Sequence, residues 1–154
     1  MPMSSLDFFL IALGVFLFME GVAWWTHKYV MHGFLWNLHE SHHLPRRGAL
    51  EKNDWFGVFF SFVAMGVFAA GYFVSPVFTA AGVGITGYGF AYLFLHDMLT
   101  HKRFGVNLKP QSGYLRAVLR SHRIHHARRT KEGGVSFGFL IPVKPKPPRG
   151  PKAS

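Results

Sequence analysis

Two stretches of this chain, residues 55–74 and 77–95, contain no charged side chain, and a third, residues 6–25, carries only Asp7 and Glu20. Each is about twenty residues long, enough for a helix to cross the roughly 30 Å hydrocarbon core of a bilayer. Segments of this kind close their own backbone hydrogen bonds as helices, because lipid offers none. Core helices of a globular domain would need a polar face, and the second and third stretches have almost none. Ser75-Pro76 separates those two, and proline both stops one helix and suits the first turn of the next. The stretch after Met1 is too long for a signal-peptide core and has no basic flank before it, so it is read as a retained helix. The expected fold is an all-α integral membrane protein with about three to four transmembrane helices and a helical cap on one side.

Charge placement orients these spans. All 17 lysines and arginines fall in residues 28–52 or 102–152. With three spans both basic regions lie on one side, which the positive-inside rule assigns to the cytoplasm of a bacterial inner membrane. The C-terminus then faces the same side. Trp24, Trp25, Trp36 and Trp55 flank the ends of the first two spans there, where interfacial anchoring is expected of them. The formal charge of +10 suits anionic lipid or an acidic protein partner. Charge that borders membrane spans is a poor match to nucleic acid. At 154 residues the chain is read as one domain over residues 1–141. A basic, proline-rich tail, 142–154, is expected to be disordered.

The ten histidines are confined to four clusters on that same side. His27 and His32 form H-x4-H, and His39, His42 and His43 form H-x2-H-H. The two spacings return in order as His96 and His101, then His122, His125 and His126. Imidazole is the commonest metal ligand among side chains, and ten exceed what one ion accepts. Two ions with roughly five nitrogens each is the economical reading. The cap is therefore expected to carry a di-metal histidine cluster.

Helical geometry constrains the motifs differently. His39, His42 and His43 sit at i, i+3 and i+4, one helical face that can present three imidazoles to a common centre. Residues five apart are turned by about 140° on an ideal helix. Either each H-x4-H pair serves both ions, or the helix ends or bulges between its two histidines. The chain has no cysteine, which removes thiolate zinc and iron–sulfur sites. All-nitrogen ligation suits iron, zinc or copper. Two close irons suit oxidation of an unactivated C–H bond by dioxygen, and a site beyond the span ends lets a lipid substrate arrive from the bilayer.

The motif order, with H-E-S-H-H at 39–43, N-D-W-F-G-V at 53–58, Tyr88, Phe90, Tyr92, His96 and Asp97, and G-V-S-F-G-F-L at 134–140, resembles the bacterial β-carotene 3-hydroxylases of the membrane fatty acid hydroxylase superfamily. The resemblance covers about residues 20–141. It implies two non-haem irons, with zinc possible in a crystal, O2 as co-substrate and a reduced ferredoxin as electron donor. It also implies a carotenoid substrate taken from the lipid membrane and hydroxylated at C3 of each β-ionone ring, β-carotene passing through β-cryptoxanthin to zeaxanthin. All ten histidines carry over as iron ligands.

Only seven acidic residues are present, and several adjoin these histidines. A carboxylate that accepts the second ring N–H of a ligand histidine is a common support. Asp97 is the best candidate for it and Asp54 another, while Glu40 and Glu132 read equally well as solvated surface. Glu20, an ionisable group inside a span, is a functional suspect. A hydroxylase or desaturase of sterols or fatty acyl chains would share all these features. A membrane metal transporter would instead place ligands along a path through the spans.

Overall fold

The computed structural model describes residues 3–45 and 48–143. Helix α1, Ser5–Trp25, opens on a reciprocal cap: Ser4 Oγ accepts the Asp7 N–H at 3.1 Å and Asp7 Oδ2 accepts the Ser4 N–H at 3.2 Å. It continues into a wider π turn, Thr26–Phe34, that ends where Gly33 leaves helical geometry. Helix α2, Trp36–His43, follows at once. Helix α3 runs Asp54–Phe73. Ser75 then caps α4, Pro76–Tyr92, with Pro76 in its first turn, as the Ser-Pro pair predicts. Helix α4 also widens into a π turn, Leu93–Thr100. A short 3-10 turn, Arg103–Gly105, leads to α5, Gly113–His126, capped by Ser112.

Among the described residues every regular element is helical, and three helices are long and apolar enough to cross a membrane: Ser5–Phe34, Asp54–Phe73 and Pro76–Thr100. The first and third outrun the sequence limits of 25 and 95, because the π turns carry the helix on through the H-x4-H motifs. Helix α4 packs between α1 and α3. At Gly84 a Cβ would fall 2.5 Å from Ala12 O and 2.8 Å from Val15 Cβ. Only glycine permits that approach, and small residues at crossings let van der Waals packing hold membrane helices together. Phe18, Phe62 and Phe90 point outward at 69%, 65% and 67% exposure, an apolar surface suited to lipid rather than water.

Up-down-up order brings the end of α1, the start of α3 and the end of α4 to one side. There α2, α5 and the loop of residues 133–143 form a cap. Trp24, Trp25 and Trp55 are exposed near this end, as interfacial anchors would be. Trp36 differs: its ring lies 5.0 Å from that of His32 and 5.3 Å from that of His43, so it covers histidines. The expected tail, 142–154, lies outside the described residues from 144 onward. Pro142 and Val143 still follow the cap, since the Val143 N–H donates to Ser121 Oγ at 3.0 Å.

Candidate metal centre

The ten histidines converge as two groups of five. His27, His32, His39, His43 and His125 form the first, and His42, His96, His101, His122 and His126 the second. Within each group the candidate ligand atoms all lie within 4.8 Å of one another. The π turns answer the question left open by the H-x4-H spacing. In such a turn an N–H bonds the carbonyl five residues back, as His101 does to His96 at 3.0 Å. Residues five apart then return to nearly the same side, so each H-x4-H pair serves one group.

The H-x2-H-H motifs correct the expectation of a common centre. His39 and His43 enter the first group while His42 enters the second; His122 and His126 enter the second while His125 enters the first. At 100° per residue, i and i+4 stand about 40° apart while i+3 falls on the far flank of the pair. With one histidine group on either side of the helix, the odd histidine crosses. The two groups are interleaved through α2 and α5.

Hydrogen bonds fix the ring tautomers in the first group. His27 Nδ1 donates to Phe137 O at 2.9 Å, His32 to Lys131 O at 3.0 Å, His39 to Asn53 Oδ1 at 2.7 Å, His43 to Arg128 O at 2.8 Å and His125 to Val135 O at 2.8 Å. These oxygens only accept, so each proton sits on Nδ1 and each Nε2 keeps a bare lone pair. Yet Nε2 atoms face one another at 3.1 Å in the pairs His27–His39, His32–His125 and His39–His43. Lone pairs at that distance repel unless a cation lies among them. Five neutral imidazoles with their lone pairs aimed inward are the donor set that a divalent transition metal takes.

The second group is backed by charge. His42 Nδ1 donates to Glu51 Oε2 at 2.9 Å and His96 Nδ1 to Asp97 Oδ1 at 2.8 Å. Their Nε2 atoms meet at 2.9 Å, and those of His101 and His122 at 3.1 Å. His126 Nε2 is buried with no hydrogen-bond partner, a costly state for a polar atom that a bound cation would relieve. Asp97, the carboxylate singled out in the sequence, lies against His96 in this way. Asp54 takes another role: both its oxygens accept from Arg103 at 2.7 Å, and Oδ2 also accepts the Glu51 N–H at 2.9 Å. Arg103 reaches on to Asp97 Oδ2 at 3.2 Å. Glu40 and Glu132 are exposed.

Burial is the main cause that holds His39, His43, His122, His125 and His126 neutral. It pushes His39 down to about 2, His125 to about 3 and His43 to about 4, the neighbouring imidazoles adding to the effect. His122 and His126 are lowered too, by burial first and then by other histidines of the centre. Ligands that are neutral at physiological pH bind metal without first losing a proton.

Glu20 braces the loop that backs the first group. Its Oε1 accepts the N–H groups of Phe139, Leu140 and Ile141 at 3.0, 2.9 and 3.1 Å, and its Oε2 the Tyr88 hydroxyl at 2.6 Å. A buried carboxylate is tolerable when its lone pairs are met in this way. At Gly138 a Cβ would fall 2.5 Å from Glu20 Oε1, so a larger residue there would have to displace the acid from its partners. The spans thus reach the histidines through one buried acid, whose three N–H donors lie about 120 positions along the chain.

Two cavities approach the centre from opposite sides. An apolar one of about 290 Å³ lies among α1, α3 and α4, walled by Met19, Ala23, Phe60, Ala64 and Ile85, with Tyr92, Asp97 and Phe139 at its inner end. A polar one of about 320 Å³ is bordered by His42, His43, His101 and His126 together with Arg123 and Arg129. An apolar molecule held by the spans and polar species from water would meet at the histidines.

A family model described as fatty acid hydroxylase matches residues 12–144. A β-carotene hydroxylase of Pseudescherichia vulneris is 46% identical over 127 residues, covering 82% of this chain and 72% of that protein. One from Paracoccus sp. is 41% identical over 133 residues, 86% of this chain and 82% of the relative. The chloroplastic β-carotene 3-hydroxylase 1 of Arabidopsis thaliana is 41% identical over 140 residues, 88% of this chain and 44% of the plant protein. No solved structure matches the chain.

Proposed function

The chain belongs to the fatty acid hydroxylase family, and from that premise we propose that it is a membrane monooxygenase placing a hydroxyl at C3 of carotenoid β-ionone rings. The observation that carries this reading is the similarity to β-carotene hydroxylases along most of the chain. The apolar cavity that ends against the histidines supports it. The balanced reaction joins the substrate C–H, O2, two electrons and two protons to give C–OH and water. Two iron ions held by the ten histidines would supply oxygen activation and hydrogen abstraction when bound.

The chain's own residues do the rest. The apolar cavity takes the ring, and at about 290 Å³ it is near the lower end of ligand-sized cavities. It suits one end group while the polyene stays in lipid. The second ring is hydroxylated after release and reorientation, so β-cryptoxanthin precedes zeaxanthin. Asp97 and Glu51 hold His96 and His42 in the tautomer that presents Nε2. The polar cavity beside Arg123 and Arg129 gives protons a wet route that avoids the substrate side.

Electrons come from outside, since the sequence has neither a dinucleotide fingerprint nor a cysteine. Reduced ferredoxin, an acidic protein, suits the basic face. That face and the histidines are assigned to the cytoplasmic side of a bacterial inner membrane, in a single hydroxylase domain of residues 1–141. The test is expression in cells that make β-carotene, where β-cryptoxanthin and then zeaxanthin should accumulate with oxygen label from O2 in each hydroxyl. Unchanged β-carotene beside hydroxylated sterols or acyl chains would replace this reading with that of a sister enzyme. Ferredoxin-driven turnover should fall as salt rises, and turnover on NADPH alone would refute the external donor.

A further inference from the structure

No histidine lines the apolar cavity. Two rings stand between them. Tyr92 stacks on His96 at 4.4 Å between centroids and 23° between planes. Phe139 lies parallel to His27, at 5.4 Å and 2°, and edge-on to Tyr92 at 4.8 Å and to His96 at 5.2 Å. His27 belongs to the first group and His96 to the second, so Phe139 faces the cavity on one side and both groups on the other. Behind it is a void of only about 10 Å³, bordered by Leu95, His96, Val118 and His122. That space holds a water-sized molecule at most. A substrate rising from the bilayer therefore meets Phe139 before it meets a histidine.

The backbone of this partition cannot retreat, because the Phe139 N–H is bound to Glu20 Oε1 at 3.0 Å along with its two successors. Only the side-chain torsions remain to let a substrate advance. Adjacent ring carbons differ in depth by about 1.5 Å, one carbon–carbon bond, which is less than the width of a phenyl group. From this we infer that the Phe139 ring sets how deeply a ring-ended apolar substrate enters, and so selects which ring carbon is presented to the histidines. The inference rests on the carotenoid reading above and adds a specificity-determining residue to it.

Full-length Phe139→Ala, Phe139→Leu and Phe139→Trp, expressed in β-carotene-producing cells, test it by the position of the new hydroxyls. Alanine should lower the preference for C3 over neighbouring ring carbons by about tenfold, the scale on which small changes of pocket volume act. Leucine should fall between, and tryptophan should lower turnover by a similar factor with bound metal unchanged. A readout without turnover is the visible absorption of cobalt(II)-loaded protein titrated with β-ionone. The alanine variant should respond at lower β-ionone concentration than wild type, and the tryptophan variant should not respond. Equal C3 preference and equal β-ionone response across the series would overturn the inference, as would loss of bound metal in all three variants, which would make Phe139 a structural wall. If wild type leaves β-carotene untouched while the β-ionone response still follows side-chain size, the carotenoid reading fails and the partition stands.

Discussion

The two histidine groups have the same number and kind of candidate ligands, but different surroundings. In the first, all five Nδ1–H groups end on uncharged oxygens, four backbone carbonyls and the Asn53 amide. In the second, His42 and His96 lean on the carboxylates of Glu51 and Asp97. A carboxylate draws the Nδ1 proton and makes Nε2 a stronger donor than a carbonyl does. The second group is thus the better host for an ion of higher charge. The supports also differ in backbone cost. Arg103, which steadies Asp97, stands between Lys102 and Phe104 at φ of 51° and 59°. Left-handed geometry in a non-glycine residue costs of order 1–3 kcal/mol each. The backing loop of the first group contains one such residue, Ser136. Equal ligand counts therefore do not make equal sites.

Direct removal of a ligand should give the largest effect. His43→Ala and His126→Ala, one per group, should each lower bound metal from about two equivalents to about one in metal excess and cut turnover to less than about a hundredth. Metal analysis beside pigment assay checks this, and loss of both ions from either variant would merge the two sites into one. Next comes Arg103→Met, which leaves the buried Asp97 carboxylate without its cation and Asp54 without its bidentate partner. Unfolding in detergent should show a loss of about 3–5 kcal/mol. Arg103→Lys should recover part of it, since a single ammonium cannot reproduce the paired contacts to Asp54.

Asp97→Asn keeps an acceptor near His96 but removes the charge. Chelator competition should show binding at the second group weakened by about 10–100-fold, and the potential of the weakened ion should rise. The smallest effect belongs to the neutral side. Asn53→Ala removes one hydrogen bond from His39, worth about 1 kcal/mol or roughly fivefold in affinity. Equal losses for Asn53→Ala and Asp97→Asn would erase the electronic difference between the groups.

The spans were legible because uninterrupted apolarity is a one-dimensional signal. Their ends were not, because a search for apolar residues stops at Trp25 and Leu95 although the helix continues through His27 and His96. The ten histidines and Asp97 were visible as residue types at helical spacings. The crossing of His42 and His125 was not, since a face about a hundred degrees wide looks like one centre until both groups are seen. Glu51 and Arg103 carry no local signature. Glu51 lies nine positions after His42 and Arg103 six after Asp97, and only the cap folds them onto these partners. Glu20 announced itself as a charge within a span, but its three N–H donors come from the far end of the chain.

Interleaving through α2 and α5 has a thermodynamic consequence. An ion bound to either group would pin both helices, because each helix contributes to both groups. Any loss of freedom imposed by a first ion would then already be made for a second, so the two binding steps would be linked. Titration of metal-free protein should be sigmoidal, with the singly loaded species scarce at every point.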